Sequence, residues 1–299
     1  METGELVSLL LYFISSSSGI YFNVFISVVS YRTWLSDGSL QPRGLLLFST
    51  GLSSAIFEGY RFSVDISFHF WREDFSSLNV CTVFLHCLFT SCIFFTLCQV
   101  SLLCSFYCIK LISFQHWIIQ VLKSRLPSYL PWIMAGTLVI SGLGLVLLFY
   151  VIYISVPVNA TNNSSFCRRI NETYAARIRN MSNGFNIIIA LPFCLILVSL
   201  SCTAITLVQH KRKAQGTLGL GRSHLQAHMD AATTMILLLA LNMSFYVSKL
   251  LMDGNVLPFP LSMMFSVIYY LFWPLQALIL IFRTKKLYER FICCSRKKI

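Results

Sequence analysis

Residues that could carry out chemistry are sparse in this chain, and their spacing does not form a catalytic site. His224 and His228 are four residues apart, which places two imidazoles on one face of a helix, as a zinc site requires. No third ligand accompanies them in a buried position. The 11 cysteines form no repeated Cys-x-x-Cys pattern, and no Gly-x-Ser-x-Gly motif or phosphate loop is present. The sequence therefore predicts neither an enzyme nor a metal or cofactor site.

Glu58 is the ionisable residue that most needs an explanation, because it lies within a long apolar stretch. A carboxylate inside a membrane costs on the order of 3 kcal/mol unless it is paired, protonated or hydrated. Glu58 is therefore a candidate for lining a ligand cavity. The alternative is that it reaches the aqueous surface together with Arg61. Lys249 has the same two interpretations.

Polar and aromatic residues also collect in the corresponding halves of four other apolar stretches. Individually, such residues more often pack or form hydrogen bonds between helices. As a set they predict a pocket for a small molecule, because ligand sites in helix bundles are apolar cavities with a few placed polar groups. The candidates besides Glu58 and Lys249 are Phe89, Thr90, Ile93, Phe94, Asn186, Asn242, Phe245, Tyr246 and Tyr269.

The elements that must position these residues are membrane helices. With 56% hydrophobic and 11% charged residues among 299, the chain has too little polar surface for a soluble globule. The net charge of +12 does not indicate nucleic acid, because the cations are not interleaved with stacking aromatics. The prediction is an all-α membrane protein, a single bundle of seven transmembrane helices with a basic cytoplasmic tail at 283–299. The predicted spans are 6–31, 44–66, 78–109, 129–154, 185–208, 229–251 and 261–282.

The distribution of charge predicts the orientation of the bundle. Most of the 23 lysines and arginines lie in the first, third and fifth connections and in the tail, so these are expected to be cytoplasmic and the N-terminus outside. Lys110 then marks the cytoplasmic end of the third span. Residues 111–128 are predicted to form an amphipathic inner loop with its cations at the lipid headgroups.

The connection between the fourth and fifth spans supports the same orientation, because it contains five acceptor patterns for N-glycosylation. Glycosylation requires exposure on the outer side of the membrane. Cys81 and Cys167 are expected in the same oxidising compartment and could form a disulfide there. The acceptors are Asn159, Asn162, Asn163, Asn171 and Asn180.

Sequence motifs at the end of the third span resemble those of a receptor family. The stretch "LLCSFYCIKLISFQHW", followed by "LKSR" and "PWIMAGTLVIS", is similar to the bitter taste receptors, the type 2 taste receptor family of G-protein-coupled receptors. "FNVFI", "LPFCLILVSL", "TLVQHKRKAQ" and "AHMDAATTM" resemble further motifs of that family. The resemblance implies binding of small bitter compounds, coupling to a gustducin-type or inhibitory Gα subunit, and a place in the plasma membrane among its lipids.

The same resemblance, together with the basic inner surface, implies a set of residues for G-protein coupling. A basic and partly amphipathic rim suits the C-terminal helix of a Gα subunit, whose end carries a carboxylate. Anchoring to lipid headgroups is the alternative for these cations. The coupling residues are Tyr107, Lys110, Lys123, Arg125, His210, Lys211, Arg212 and His228.

The chain also departs from the family pattern. The usual arginine of the second span is missing from "TGLSSAIFEG", and the lysines expected after His228 are replaced by Asp230 and Thr233. The seventh span lacks the usual His-Ser pair and its closing asparagine. These departures indicate a divergent member, and we expect a non-mammalian vertebrate source. A vomeronasal type 1 pheromone receptor is the nearest alternative, and a transporter or membrane-embedded enzyme is a more remote one.

Overall fold

The computed structural model describes residues 3–38, 41–70, 80–111, 117–154, 190–206, 208, 222–253 and 258–296, and these form a helical bundle. Seven long helices are followed by one short helix, as the sequence predicts for a seven-transmembrane fold. They are α1 (Thr3–Asp37), α2 (Pro42–Phe70), α3 (Val80–Leu111), α4 (Trp117–Ile154), α5 (Ala190–Thr206), α6 (Arg222–Asp253), α7 (Phe259–Arg283) and α8 (Lys285–Arg296).

Most of these helices have the length and composition of membrane spans. Five are long and apolar enough to cross a membrane, namely α1, α3, α4, α6 and α7. The described part of α5 is apolar but shorter. Helix α2 has the necessary length but contains four charged residues, which lower its hydropathy: Arg43, Glu58, Arg61 and Asp65.

The described helices pack as successive neighbours in the order α4, α3, α2, α1, α7 and α6. Helix α1 packs on α2 and α7, α3 packs on α2 and α4, and α6 packs on α7. The approach of α1 to α2 depends on Gly51, because a Cβ atom there would lie 2.7 Å from Ser27 Oγ and 2.9 Å from the Asn23 carbonyl oxygen. Small residues at such crossings allow membrane helices to approach closely.

Two buried clusters divide the bundle along its length. We call the end at which α1 begins the N-terminal end, and the end at which α1 terminates and α8 lies the tail end. An aliphatic core at the tail end includes Ile26, Leu103 and Leu280. The N-terminal end contains a second cluster that we call the aromatic cluster: Phe57, Ile93, Leu97, Phe193, Phe245, Tyr269, Phe272 and Trp273.

The prediction of an inner loop over residues 111–128 is wrong for residues 117–128, which are helical. Helix α4 begins at Trp117 and continues through Pro127 and Pro131. Apolar residues recur at helical spacing through this stretch, so that Leu126, Leu130 and Met134 face the aliphatic core. The cations Lys123 and Arg125 of this segment are exposed.

Candidate functional site

The aromatic cluster brings five helices together at the N-terminal end of the bundle. Phe245 of α6 stacks on Tyr269 of α7 with 5.1 Å between ring centroids, and it lies 4.3 Å from Phe272. Phe57 of α2 lies 4.6 Å from Trp273. These offset and tilted contacts are favourable for aromatic rings, whose faces and edges carry opposite partial charge. The cluster therefore forms an apolar floor shared by α2, α3, α5, α6 and α7.

An ion pair lies beside this floor on α2. Arg61 Nη1 is 3.6 Å from Glu58 Oε1, one helical turn away, and the two side chains are 4% and 0% exposed. The interpretation in which Glu58 reaches the aqueous surface is therefore wrong. Glu58 points into the bundle toward Gly19 of α1, where an added Cβ would lie 3.4 Å from the carboxylate.

Three tyrosine rings from two other helices surround Arg61. The guanidinium carbon lies 4.7 Å from the ring centroid of Tyr270, 5.2 Å from that of Tyr12 and 5.7 Å from that of Tyr269. Cation–π contacts of this kind stabilise a guanidinium that has lost its water, by about 2 kcal/mol when desolvated. Together with Glu58 they explain how a charge can be buried here. We call Glu58, Arg61 and the three tyrosines the ion-pair cage.

Tyr269 connects the cage to the aromatic cluster, because it contacts both Arg61 and Phe245. The combined region is buried, its side chains are mostly apolar, and it includes one pair of charges. Such a region can bind a small, largely apolar molecule and orient it through one polar group.

The structure brings many of the predicted ligand residues to this region. Ile93, Phe245 and Tyr269 belong to the aromatic cluster, and Phe94 and Tyr246 pack against it. Thr90 and Asn242 are buried, and Lys249 is half-buried. Asn242 Nδ2 donates to the Leu238 carbonyl oxygen at 2.6 Å within α6. The Phe89 side chain and the whole of Asn186 lie outside the described residues.

Sequence reasoning missed two parts of this site. Arg61 was considered only as a surface partner of Glu58, although its i+3 spacing already allowed the pair. Tyr12 and Tyr270 gave no signal, because aromatic residues are frequent throughout this chain. Only the packing of α1 and α7 against α2 identifies the rings that enclose the guanidinium.

The predicted coupling residues that can be placed lie at the tail end. Lys110 is exposed at the end of α3, with its ammonium 4.6 Å from the Phe106 ring centroid. Lys123 and Arg125 are exposed on α4, and Tyr107 is half-buried. His210, Lys211, Arg212 and the His228 side chain lie outside the described residues, as does the His224 side chain.

Polar contacts at the tail end join helices that are distant in sequence. Arg43 Nη2 donates to Thr284 Oγ1 at 3.2 Å, and its guanidinium carbon lies 5.4 Å from the Tyr107 ring centroid. Arg283 of α7 pairs with Asp230 of α6 at 3.5 Å. Arg283 Nη2 also donates to the Asp230 carbonyl oxygen at 3.0 Å. These contacts join α6 and α7 at the tail end.

The predicted glycosylation and disulfide sites are not placed by the structure. Asn159, Asn162, Asn163, Asn171, Asn180 and Cys167 lie outside the described residues, as does the Cys81 side chain. The orientation of the bundle relative to the membrane stays a prediction from charge.

The sequence is similar to known taste receptors over nearly its whole length. The family model described as "Taste receptor protein (TAS2R)" matches residues 1–296. Taste receptor type 2 member 4 of Papio hamadryas is 29% identical over 250 residues, covering 81% of this chain and 78% of the relative. Taste receptor type 2 member 41 of Mus musculus is 29% identical over 249 residues, covering 80% and 77%. Member 4 of Homo sapiens is 26% identical over 250 residues, covering 81% and 78%.

Proposed function

The chain belongs to the TAS2R family of taste receptors, the G-protein-coupled receptors of bitter taste, and we propose that it binds small, largely apolar bitter compounds at the N-terminal end of its bundle. It is a multi-pass membrane receptor and not an enzyme. We place the ligand site there because Tyr269 contacts both the aromatic cluster and Arg61 of the ion-pair cage.

The proposed ligand site combines an apolar floor with one polar anchor. Rings of Phe245 and Tyr269 would contact the apolar body of an agonist, while Glu58 and Arg61 would orient a hydrogen-bonding group. Thr90 and Asn242 supply neutral polar groups at the same end of the bundle. Phe89, Ile93, Phe94, Asn186, Tyr246 and Lys249 complete the proposed set.

Activation follows from a difference in agonist affinity between two arrangements of the helices. Only an agonist that binds the active arrangement better than the resting one changes their populations. A preference of about 1.4 kcal/mol multiplies the ratio of active to resting receptor tenfold. Because Phe245 and Tyr269 lie on α6 and α7, a ligand in contact with both rings would act on the two helices that Arg283 and Asp230 join at the tail end.

We propose that the tail end faces the cytosol and binds a gustducin-type or inhibitory Gα subunit. The exposed cations Lys110, Lys123 and Arg125 form one part of this rim. Tyr107, His210, Lys211, Arg212 and His228 complete the proposed coupling set. We place the receptor in the plasma membrane, with the N-terminus and the glycosylation acceptors on the outer side. Cys81 and Cys167 would lie on that side as well and could form a disulfide.

A functional assay tests this proposal. Cells expressing the receptor and a gustducin-like chimeric Gα subunit are expected to show calcium responses to at least one member of a chemically diverse bitter panel. Phe245→Leu should change potency unequally among agonists, because their contacts with the ring differ. Val247→Leu, on the exposed face of the same helix, serves as the matched control and should leave potency unchanged. Silence across the panel despite surface expression, or responses to steroids and volatile amines only, would contradict the proposal.

A further inference from the structure

A cavity of about 170 Å³ lies at the tail end, between the last turns of α1, the first turn of α2 and the start of α8. None of its described lining residues belongs to the proposed agonist or G-protein sets. The cavity therefore has a different lining from both sites, although Arg43 also contacts Tyr107 of the proposed coupling set.

The charged groups around this cavity are unbalanced. Arg43, Lys285 and Lys286 line it together with a single acid, Asp37. Lys286 Nζ pairs with Asp37 Oδ2 at 3.1 Å. Lys285 lies 4.0 Å from Glu289, but both side chains are mostly exposed, so that this contact neutralises little. The lining thus carries an excess of two positive charges.

Two polar atoms at the cavity have no partner within the described part of the chain. Ser30 is 7% exposed and lines the cavity, yet its Oγ makes no hydrogen bond there. The Nε atom of Arg43 is likewise buried without an acceptor. A buried donor without a partner costs free energy. Because both residues line the cavity, a rotation of either side chain would bring a donor to an anion bound there.

The surroundings of the cavity are those of a lipid headgroup region. Helix α1 exposes a stripe of apolar residues on the side turned away from the cavity, as a helix in contact with lipid does: Val24, Val28, Tyr31 and Leu35. Helix α8 buries Leu287 and packs Phe291 against the core, while Lys285 and Arg290 are exposed. An amphipathic helix of this kind lies in the plane of the membrane interface.

From this arrangement we propose that the cavity binds the phosphate-monoester headgroup of an anionic phospholipid, whose acyl chains extend into the surrounding membrane. A phosphate monoester carries about −1.5 to −2 charge at neutral pH, which matches the excess charge of the lining. Arg43, Lys285 and Lys286 would contact its oxygens, and Ser30 would donate a hydrogen bond. The proposal does not depend on the identity of the agonist.

Lipid binding to the full-length receptor tests this site. The receptor is reconstituted in nanodiscs of dioleoylphosphatidylcholine containing dioleoylphosphatidic acid, and retained lipids are counted by native mass spectrometry. We expect one phosphatidic acid to be retained in preference to phosphatidylcholine. The double variant K285Q/K286Q should weaken this retention by about tenfold, because two charge-assisted contacts are lost.

The matched control is R32Q/R290Q, which removes the same charge from exposed positions of α1 and α8 that do not line the cavity. It should retain phosphatidic acid as the wild type does. Equal loss in the two double variants would overturn the site, because it would show only general attraction to a basic surface. Equal retention in wild type and K285Q/K286Q would overturn it as well.

A second variant distinguishes binding of the lipid inside the cavity from binding to the surface around it. Ser30→Leu fills the cavity without changing charge, and it should abolish retention of phosphatidic acid; Val28→Leu on the exposed face of α1 should not. Retention by Ser30→Leu equal to wild type would place the lipid outside the cavity and refute the proposal. Displacement of the lipid by millimolar glycerol 3-phosphate would assign the site to a soluble phosphate ester and refute the lipid source.

Discussion

At the scale of single residues, the burial of Glu58 with Arg61 is the feature with the largest energetic consequence. Removing one partner of a buried ion pair typically costs about 3 to 5 kcal/mol, because the other charge is left uncompensated. When Arg61 is removed, the remaining carboxylate of Glu58 is fully buried, with no bulk water to solvate it.

Arg61→Gln is therefore expected to destabilise the receptor strongly and to lower its amount at the cell surface. The double variant E58Q/R61Q should recover part of this loss, since neither charge is then unpaired. Thermal unfolding of the purified receptor measures both effects. Arg32→Gln, which removes an exposed arginine from α1, is the control and should change little. Equal unfolding temperatures for Arg61→Gln and Arg32→Gln would show that the ion pair contributes nothing.

Lys110 tests the proposed coupling rim. Lys110→Glu should reduce G-protein activation by reversing a charge at the exposed end of α3, while surface expression and agonist binding stay near those of the wild type. Lys110→Arg keeps the charge and should retain coupling. Activation measured at matched surface density separates these outcomes. A loss of surface expression as large as the loss of activation would assign Lys110 to membrane topology instead.

Sequence alone identified Glu58 because a carboxylate in an apolar stretch is anomalous wherever it occurs. It did not identify the enclosure of Arg61, since that depends on rings contributed by α1 and α7. Ile93, Phe245 and Tyr269 were chosen as pocket residues, and they do share one cluster. Whether they touch a ligand stays a prediction.

At the scale of the helices, Gly51 sets the distance between α1 and α2. A Cβ at this position would lie 2.9 Å from the backbone oxygen of Asn23, which cannot move without shifting α1. At Gly59 of the same helix, an added Cβ would have no neighbouring atom within 4 Å in the described part of the chain, so that a side chain there meets open space.

Gly51→Val should therefore reduce the folded, surface-expressed receptor severely, whereas Gly59→Val should be tolerated. Both substitutions place the same β-branched residue in α2, so that differences in helix propensity cancel. Surface expression and thermal unfolding of the two variants provide the comparison. Equal tolerance of both substitutions would contradict the close crossing of α1 and α2.

The ion pair between Arg283 and Asp230 is expected to hold α6 and α7 together in the resting receptor. If separation of these helices at the tail end accompanies activation, Arg283→Ala should raise the basal signal. The side chains are 28% and 56% exposed, and partly exposed pairs contribute at most about 1 kcal/mol, so an increase of no more than about fivefold is expected. The charge-reversed double variant R283D/D230R should return the signal toward wild type. An unchanged basal signal in Arg283→Ala would show that the pair does not restrain activation.

The helices themselves were largely predictable, because long apolar runs such as those of α3 and α7 must be helical in a membrane. The beginning of α4 was not. Charged residues at 123 and 125 suggested a loop, but Leu126, Leu130 and Met134 keep a helical spacing through that segment. The charge pattern indicated where the membrane ends, and the apolar pattern indicated where the helix continues.

At the scale of the whole molecule, the two ends of the bundle must face different compartments. The aromatic cluster and ion-pair cage lie at one end, and Lys110, Lys123 and Arg125 at the other. A receptor that binds an external compound and signals to a G protein needs this separation. The effects expected for substitutions at the ligand site and at the coupling rim therefore depend on the orientation that the charge distribution predicts.

Topology mapping tests this requirement most directly. Asn-to-Gln variants at Asn159, Asn162, Asn163, Asn171 and Asn180 are compared for sensitivity to glycosidase, and an epitope is placed beside residues 211–213. We predict glycans within residues 159–180 and an epitope that antibodies reach only after the plasma membrane is permeabilised. If both segments are found on the same side of the membrane, the receptor mechanism described above is contradicted.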